Sequence, residues 1–226
     1  MQNLYCISGL GADERVFQYL DLSFAHPVFI TWINPLPGET LEAYASRLKE
    51  KFIGEENPLI IGLSLGGMLA TEIAKQLPKA NVIIISSAKT RKELPFYWRI
   101  FRRIPLYKVL SYSLVKQTLA IQEYFLGIGS ELSRQYEKTV IDRANMHFYK
   151  WAIGAIVSWE NKIVPANVFH IHGSNDRLLP MRFVKPNLVI NNGGHLMIIE
   201  NAAEVSAVLK QIFAVKYKSG ELNLTF

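Results

Sequence analysis

The sequence has little of several features that would place it in other classes of protein. Its 226 residues include one cysteine, Cys6, so no disulfide can form within the chain. We therefore expect a cytoplasmic protein, although a secreted protein without disulfides would have the same composition. No apolar run approaches the ~18 residues of a membrane-spanning helix, and the first residues lack the basic and apolar regions of a signal peptide, so we expect neither.

Net positive charge is confined to one segment of the chain. Charged residues make up 19% of the chain and hydrophobic residues 50%, which is typical of a globular domain. Residues 89–116 contain eight Lys and Arg against one Glu, a net charge of +7, whereas the whole chain carries +6. This basic segment would suit an anionic substrate or a membrane surface, but we favour a solvated helix face. We expect no nucleic-acid partner, because no binding motif accompanies the charge.

Apolar strands alternate with helices in both terminal parts of the chain. Most of these strands are apolar at successive positions, so both of their faces are buried, as in a mostly parallel sheet with helices on each side. A helix that begins after Thr40 and another over about 65–77 separate the first strands. The sequence therefore predicts an α/β protein with about six strands. The predicted strands are 3–8, 28–33, 59–62, 81–86, 167–173 and 187–191.

The strand pattern stops between residues 89 and 161. Amphipathic and aromatic segments fill this stretch, and none has the pattern of a good strand. We therefore predict one core domain, formed by residues 1–88 and 162–226, with a helical cap of residues 89–161 inserted into it.

A short motif places one serine between a predicted strand and a predicted helix. Residues 62–66 read GLSLG, which fits the pattern G-x-S-x-G. In such a turn the serine backbone is strained and its hydroxyl projects above the sheet edge, while the glycines leave room where the chain folds on itself. The start of the following helix favours negative charge there. Five residues are a weak match alone, but the strand before and the helix after favour Ser64 as a nucleophile over a bystander serine.

A serine nucleophile needs a general base, and the base needs an acid that orients it. Downstream of Ser64, the segment HGSND places Asp176 just after a strand, and NNGGH places His195 just after the next strand. Both lie at the carboxyl ends of strands, where parallel α/β proteins bind ligands. Asp176 could instead cap a turn and His195 could be a packed core histidine, but their joint placement favours an acid and a base. We interpret His172 as structural.

An oxyanion formed at a substrate carbonyl needs two hydrogen-bond donors. The backbone N–H after the nucleophile, that of Leu65, is the first candidate. The loop after the first strand, residues 8–13 with the sequence SGLGAD, contains two glycines that let its backbone approach a substrate closely. We take Leu10 as the second donor.

With these motifs the sequence resembles the α/β-hydrolase superfamily, most of all its small esterase, lactonase and thioesterase-like members with a helical cap. SGLGAD resembles the oxyanion loop, GLSLGG the nucleophile elbow, HGSND the acid loop and GGHLM the histidine loop, so the resemblance covers nearly the whole chain. It implies a triad of Ser64, His195 and Asp176. The chain departs from the family in three ways. Ser8 stands where a histidine is usual, the first antiparallel strand pair is missing, and only a turn fits between the last two strands.

The predicted activity is hydrolysis of a carboxylic ester, thioester or lactone with a small apolar acyl group, without metal or cofactor. We expect Leu10, Trp98, Phe101 and Leu178 to line a substrate pocket beneath the cap. Two alternatives stay open. One is other chemistry on the same fold, such as C–C bond hydrolysis or cofactor-free haloperoxidation, and the other is a ligand-binding homologue without catalysis. The sequence makes no prediction of oligomeric state.

Overall fold

The computed structural model of the protein describes residues 1–52 and 54–219. In that part of the chain, six strands form one sheet in the order β2-β1-β3-β4-β5-β6, and every neighbouring pair is parallel. The predicted α/β fold with about six strands is confirmed. The strands are β1 (Asn3–Ile7), β2 (His26–Phe29), β3 (Leu59–Leu63), β4 (Asn81–Ile85), β5 (Val168–Gly173) and β6 (Leu188–Ile190).

Helices connect the strands, except between β5 and β6, where residues 174–187 contain none, and they cover both faces of the sheet. Among the residues described, none of these helices is long and apolar enough to cross a membrane. The α-helices are α1 (Leu41–Leu48), α2 (Leu65–Gln76), α3 (Trp98–Arg103), α4 (Tyr112–Gln117), α5 (Leu119–Leu126), α6 (Glu131–Asp142), α7 (Met146–Ser158), α8 (Met197–Glu200) and α9 (Ala202–Ser219). Short 3-10 helices cover Glu14–Tyr19, Lys49–Phe52, Arg91–Glu93 and Leu106–Val109.

Burial on both faces of the sheet explains the continuous apolar strands. On β4, Val82 and Ile84 belong to the core cluster that includes α1 and α2. Ile83 and Ile85 belong to the cluster on the other face, with α8 and α9. All four side chains are fully buried. Burying one such side chain stabilises the fold by about 1.5–3 kcal/mol relative to leaving it in water.

The first helix begins where the sequence predicts. The Thr40 side chain accepts a hydrogen bond from the backbone N–H of Ala43 at 3.2 Å, which satisfies a donor that has no partner inside the helix. The α-helix ends at Leu48, and a 3-10 turn continues the same apolar face to Phe52, which is buried. The apolar residues from Leu41 to Phe52 therefore share one buried face, although the last turn is not α-helical.

The structure corrects the boundaries of one predicted strand. Strand β2 ends at Phe29, so most of the predicted strand 28–33 leaves the sheet edge, and Trp32 instead donates from Nε1 to the carbonyl of Ala12 at 3.2 Å. At the other end of the chain, helix α9 continues to Ser219, and residues 220–226 lie outside the described residues.

The segment between β4 and β5 contains α3–α7 and, over residues 89–161, no strand. The break in the strand pattern therefore corresponds to a run of helices between β4 and β5. We refer to residues 89–161 as the helical insertion.

Candidate active site

Ser64 occupies a strained turn between β3 and α2. Its φ of 50° and ψ of −115° are unusual for a residue with a side chain and cost about 1–3 kcal/mol. A Cβ added to Gly62 would lie less than 3.0 Å from the backbone of Gly66, so this turn requires glycine. The Ser64 N–H donates to the carbonyl of Ile85 at 2.9 Å, and the Ser87 hydroxyl donates to the Ser64 carbonyl at 2.6 Å. These bonds hold the strained residue in place.

The structure brings the three predicted triad side chains into one line. Ser64 Oγ lies 2.9 Å from His195 Nε2, and His195 Nδ1 lies 2.8 Å from Asp176 Oδ2. Asp176 is 3% exposed and His195 is 4% exposed. Because a carboxylate only accepts hydrogen bonds, Nδ1 carries the imidazole proton and Nε2 is free to accept one from the serine.

The carboxylate of Asp176 is held by the loop that follows it. Its Oδ1 accepts hydrogen bonds from the backbone N–H groups of Leu178 at 2.9 Å and Leu179 at 2.8 Å. Burial alone would raise the pKa of Asp176, but the charge and hydrogen bond of His195, together with His172 and the Leu179 N–H, outweigh burial and lower it. Asp176 is therefore ionised at neutral pH.

Two further histidines lie behind Asp176, and sequence reasoning missed this contact. His172 Nε2 lies 2.8 Å from the Leu179 carbonyl and 3.4 Å from Asp176 Oδ2. His170 Nε2 lies 3.0 Å from His172 Nδ1, and both rings are fully buried. The available signal was spacing, because residues two apart on a strand share one face.

The predicted oxyanion loop, residues 8–13, which we call the oxyanion loop, lies directly against Ser64. A Cβ added to Gly9 would lie 3.3 Å from the Cβ of Ser64. Leu10 follows Gly9 in this loop and is partly buried. On the other side, Leu65 is the first residue of α2, so its N–H has no partner inside the helix. Leu65 therefore adjoins Ser64 along the chain, whereas Leu10 adjoins the glycine that packs against Ser64.

Other groups support the oxyanion loop where a histidine is usual. The hydroxyl of Ser8 donates to the carbonyl of Ala12 at 2.9 Å, and Trp32 Nε1 donates to the same carbonyl. Gly11 has a φ of 74°, and a Cβ there would overlap the hydroxyl of Tyr149 on α7. The helical insertion therefore reaches this loop.

The helical insertion also contacts the loop that carries His195. The N–H of Leu196 donates to the carbonyl of Leu126 at 2.9 Å. Beyond α5, the Glu200 carboxylate accepts hydrogen bonds from the backbone N–H groups of Gly129 and Ser130, at 2.8 and 2.9 Å, and from the Ser133 hydroxyl. These bonds fasten the start of α6 to α8, immediately after the candidate base.

The four residues predicted to line a substrate pocket occupy different environments. Leu10 and Trp98 are partly buried and pack against the core cluster of α1 and α2. Leu178 is partly buried on the loop after Asp176, and Phe101 on α3 is 43% exposed. Their role in a pocket stays a prediction.

A groove of about 990 Å³ lies elsewhere, between residues 36–42 and α7, and none of these four residues or of the triad lines it. Glu72 on α2 does line this groove, about 12 Å along the helix from Ser64 at 1.5 Å per residue. Among residues 1–52 and 54–219, no group of three or more His, Cys, Asp or Glu side chains could hold a metal ion.

Some basic side chains of the basic segment, residues 89–116, form ion pairs with acidic side chains outside it. Arg91 and Arg102 both pair with Glu160. Lys116 pairs with Asp142 at 2.7 Å. Lys92, Arg103 and Lys108 are exposed, Lys89 is buried, and the Arg99 side chain lies outside the described part of the structure.

A parallel sheet with a serine at a strained strand-to-helix turn, an aspartate after β5 and a histidine after β6 defines the α/β-hydrolase class of fold. The sequence model of the Alpha/beta hydrolase family matches residues 4–208, so the chain belongs to that family. No curated protein matches the sequence.

Solved structures with this fold include esterases and a lactonase. A carboxylesterase from the thaumarchaeon Nitrososphaera gargenis has 18% identity and a TM-score of 0.75, with 96% of this chain and 91% of that chain covered. A thermophilic esterase from Thermogutta terrifontis has 14% identity and a TM-score of 0.74, covering 93% and 89%. The N-acyl homoserine lactonase AidH, complexed with N-butanoyl homoserine, has 15% identity and a TM-score of 0.68, covering 100% and 92%. At these identities the likeness establishes a shared fold.

Proposed function

We propose that the protein is a serine hydrolase that cleaves a carboxylic ester, thioester or lactone through an acyl-enzyme on Ser64. The observation that carries this proposal is the continuous hydrogen-bonded line from Ser64 Oγ through His195 to Asp176, with distances of 2.9 and 2.8 Å. Esterases and a lactonase with the same fold are consistent with it.

In the proposed reaction, His195 Nε2 takes the proton of Ser64 as Oγ attacks the substrate carbonyl. Asp176 accepts the Nδ1–H bond throughout, so it keeps the imidazole in the right tautomer and stabilises the imidazolium that forms. His195 then protonates the leaving alcohol or thiol. A water molecule, deprotonated by the same nitrogen, attacks the acyl-enzyme and releases the carboxylic acid.

The negative charge on the carbonyl oxygen is stabilised, in this proposal, by the N–H groups of Leu65 and Leu10. The contact between Gly9 and Ser64 supports the choice of the oxyanion loop, because it brings that backbone to the nucleophile. Loss of one such donor lowers kcat by about 10²–10³-fold in enzymes of this kind.

We further propose that the helical insertion acts as a cap over Ser64, with a core of residues 1–88 and 162–226. Its contacts with the oxyanion loop and with the His195 loop support this placement. The insertion also presents large apolar side chains to solvent, a surface that an apolar acyl substrate could cover. These are Phe96, Ile100, Phe101, Ile104, Val109, Tyr112, Leu114, Ile121, Tyr124, Phe125 and Leu132.

Labelling with a fluorophosphonate probe tests the class of activity. We expect wild type to be labelled, Ser64→Ala to be unlabelled, and the exposed-serine control Ser113→Ala to be labelled as wild type. Absence of label on wild type would favour a ligand-binding homologue. Labelling without turnover of p-nitrophenyl esters, acyl-CoA thioesters or lactones would favour C–C bond hydrolysis instead.

A further inference from the structure

His170 and His172 form a pair of buried rings behind the triad acid. They are two residues apart on β5, so both side chains project from the same face of the sheet, and neither is exposed to solvent. Asp176 and His195 are the ionisable groups on the His172 side, and Lys89 is the charged group on the His170 side. The sequence alone indicates no role for either ring in the site.

The hydrogen bonds of the pair determine where its protons lie. The carbonyl of Leu179 can only accept, so His172 Nε2, at 2.8 Å from it, carries a proton. His172 stays neutral because burial lowers its pKa, so its Nδ1 is a bare acceptor. His170 Nε2, at 3.0 Å, must then donate to it. This leaves His170 Nδ1 unprotonated, and among the described residues that atom has no hydrogen-bond partner.

The proton on His172 Nε2 acts on the Asp176 carboxylate from two directions. Directly, Nε2 lies 3.4 Å from Oδ2, the oxygen that accepts the bond from His195. Indirectly, it holds the Leu179 carbonyl, while the N–H of Leu179 binds Oδ1 at 2.8 Å. One imidazole thus fastens the loop that holds one carboxylate oxygen and places a partial positive charge near the other.

We propose that His172, kept in the Nε2–H form by His170, is a positioning residue that orients Asp176 toward His195. This inference rests on the proposed function of the triad. It gives His172 an effect on turnover, whereas a histidine that only fills the core would affect stability alone.

Three variants separate these roles. His172→Leu removes the donor, His172→Gln can return an N–H near the position of Nε2, and Ile171→Ala is the matched control. Ile171 is buried on the same strand but belongs to the core cluster on the opposite face of the sheet. The Ile171→Ala substitution should therefore destabilise β5 while leaving the face that carries His172 unchanged.

We expect His172→Leu to lower kcat about tenfold with little change in KM. A tenfold lower rate corresponds to losing about one hydrogen bond in the transition state. Without the N–H of His172, the negative charge of Asp176 is less compensated where it faces His195. The acid limb of the pH profile of kcat/KM should therefore move to higher pH by about half a unit. His172→Gln should recover most of both effects. Ile171→Ala should lower Tm while kcat and the acid limb stay as in wild type.

Equal kcat and an unmoved acid limb in His172→Leu would overturn the positioning role, while Ser64-dependent labelling of wild type would leave the proposed function standing. If His172→Leu fails to fold, ¹⁵N NMR of the imidazoles in wild type decides the assignment. We expect His172 at pH 7 to be neutral with its proton on Nε2. A proton on Nδ1, or on both nitrogens, would contradict the proposal.

Discussion

Glu137 places an acid on the buried face of α6, where helical spacing calls for an apolar side chain. It lies between Ser133 and Ile141 on that face and is 5% exposed. Neither carboxyl oxygen has a hydrogen-bond partner in the part of the chain that the structure describes. Burial, with a smaller contribution from the charge of Glu123, raises the pKa of Glu137 from 4.5 to about 7.

This shift makes stability depend on pH with a definite sign. The folded state holds the Glu137 proton more tightly than the unfolded state, so the protein loses stability as pH rises from about 4.5 to about 7. Glu137→Gln removes this titration. Between pH 5 and pH 8, the variant should therefore gain about 2–3 kcal/mol in free energy of unfolding relative to wild type.

Urea unfolding followed by tryptophan fluorescence at pH 5 and pH 8 measures this difference. Comparing the two pH values cancels the constant cost of burying an amide in place of the carboxyl group. Glu131→Gln, an exposed position on the same helix, serves as the control and should shift stability equally at both pH values. A Glu137→Gln effect that is the same at pH 5 and pH 8 would refute the reasoning.

Three other predictions follow from the site and from the basic segment. Gly66→Ala would bring a Cβ within 3.0 Å of the backbone at the end of β1, so we expect unfolding by urea to show a loss of about 3 kcal/mol; a loss below about 1 kcal/mol would contradict the close approach. Asp176→Asn should lower kcat on a p-nitrophenyl ester by about 10³–10⁴-fold, and a loss under about tenfold would remove Asp176 as the orienting acid. Replacing Arg99, Arg102 and Arg103 together with Glu should leave kcat/KM unchanged on neutral esters and on acyl-CoA alike, because part of the charge of the basic segment is already paired, as Arg102 is with Glu160. A loss of kcat/KM confined to acyl-CoA would show an anionic-substrate site.

The sheet could be predicted from sequence because its strands are buried on both faces. A continuous apolar run such as VIII in β4 is typical of a strand that is covered on both faces of a sheet. The edge strand β2 was placed less well. The run VFITWI is apolar, but Trp32 packs at the oxyanion loop and does not extend the ladder, and only tertiary contacts decide between these uses.

The line of Ser64, His195 and Asp176 could be anticipated because parallel strands all end at one edge of the sheet. Order along the chain and position after a strand were enough to choose these residues. The environment of Asp176 could not be anticipated in the same way. The contact with His172 depends on how the loop after β5 turns back, and the bond of Leu179 to both groups is visible only in three dimensions.

The sequence of the helical insertion predicts helices but not how they divide. Residues 112–126 form two helices, α4 and α5, with Thr118 at the junction. Where its apolar side chains point depends on contacts with the core, such as that between Leu126 and Leu196, which leave no periodic signal in the sequence.

The central claim is that Ser64 becomes acylated during turnover. Rapid quenching of the wild-type protein with a p-nitrophenyl ester, followed by peptide mass spectrometry, tests it most directly. We predict an added acyl mass on the peptide that contains Ser64, formed with a burst of p-nitrophenol, and no adduct in Ser64→Ala. Ester turnover that continues in Ser64→Ala, or an acyl group found on another residue, would contradict the account.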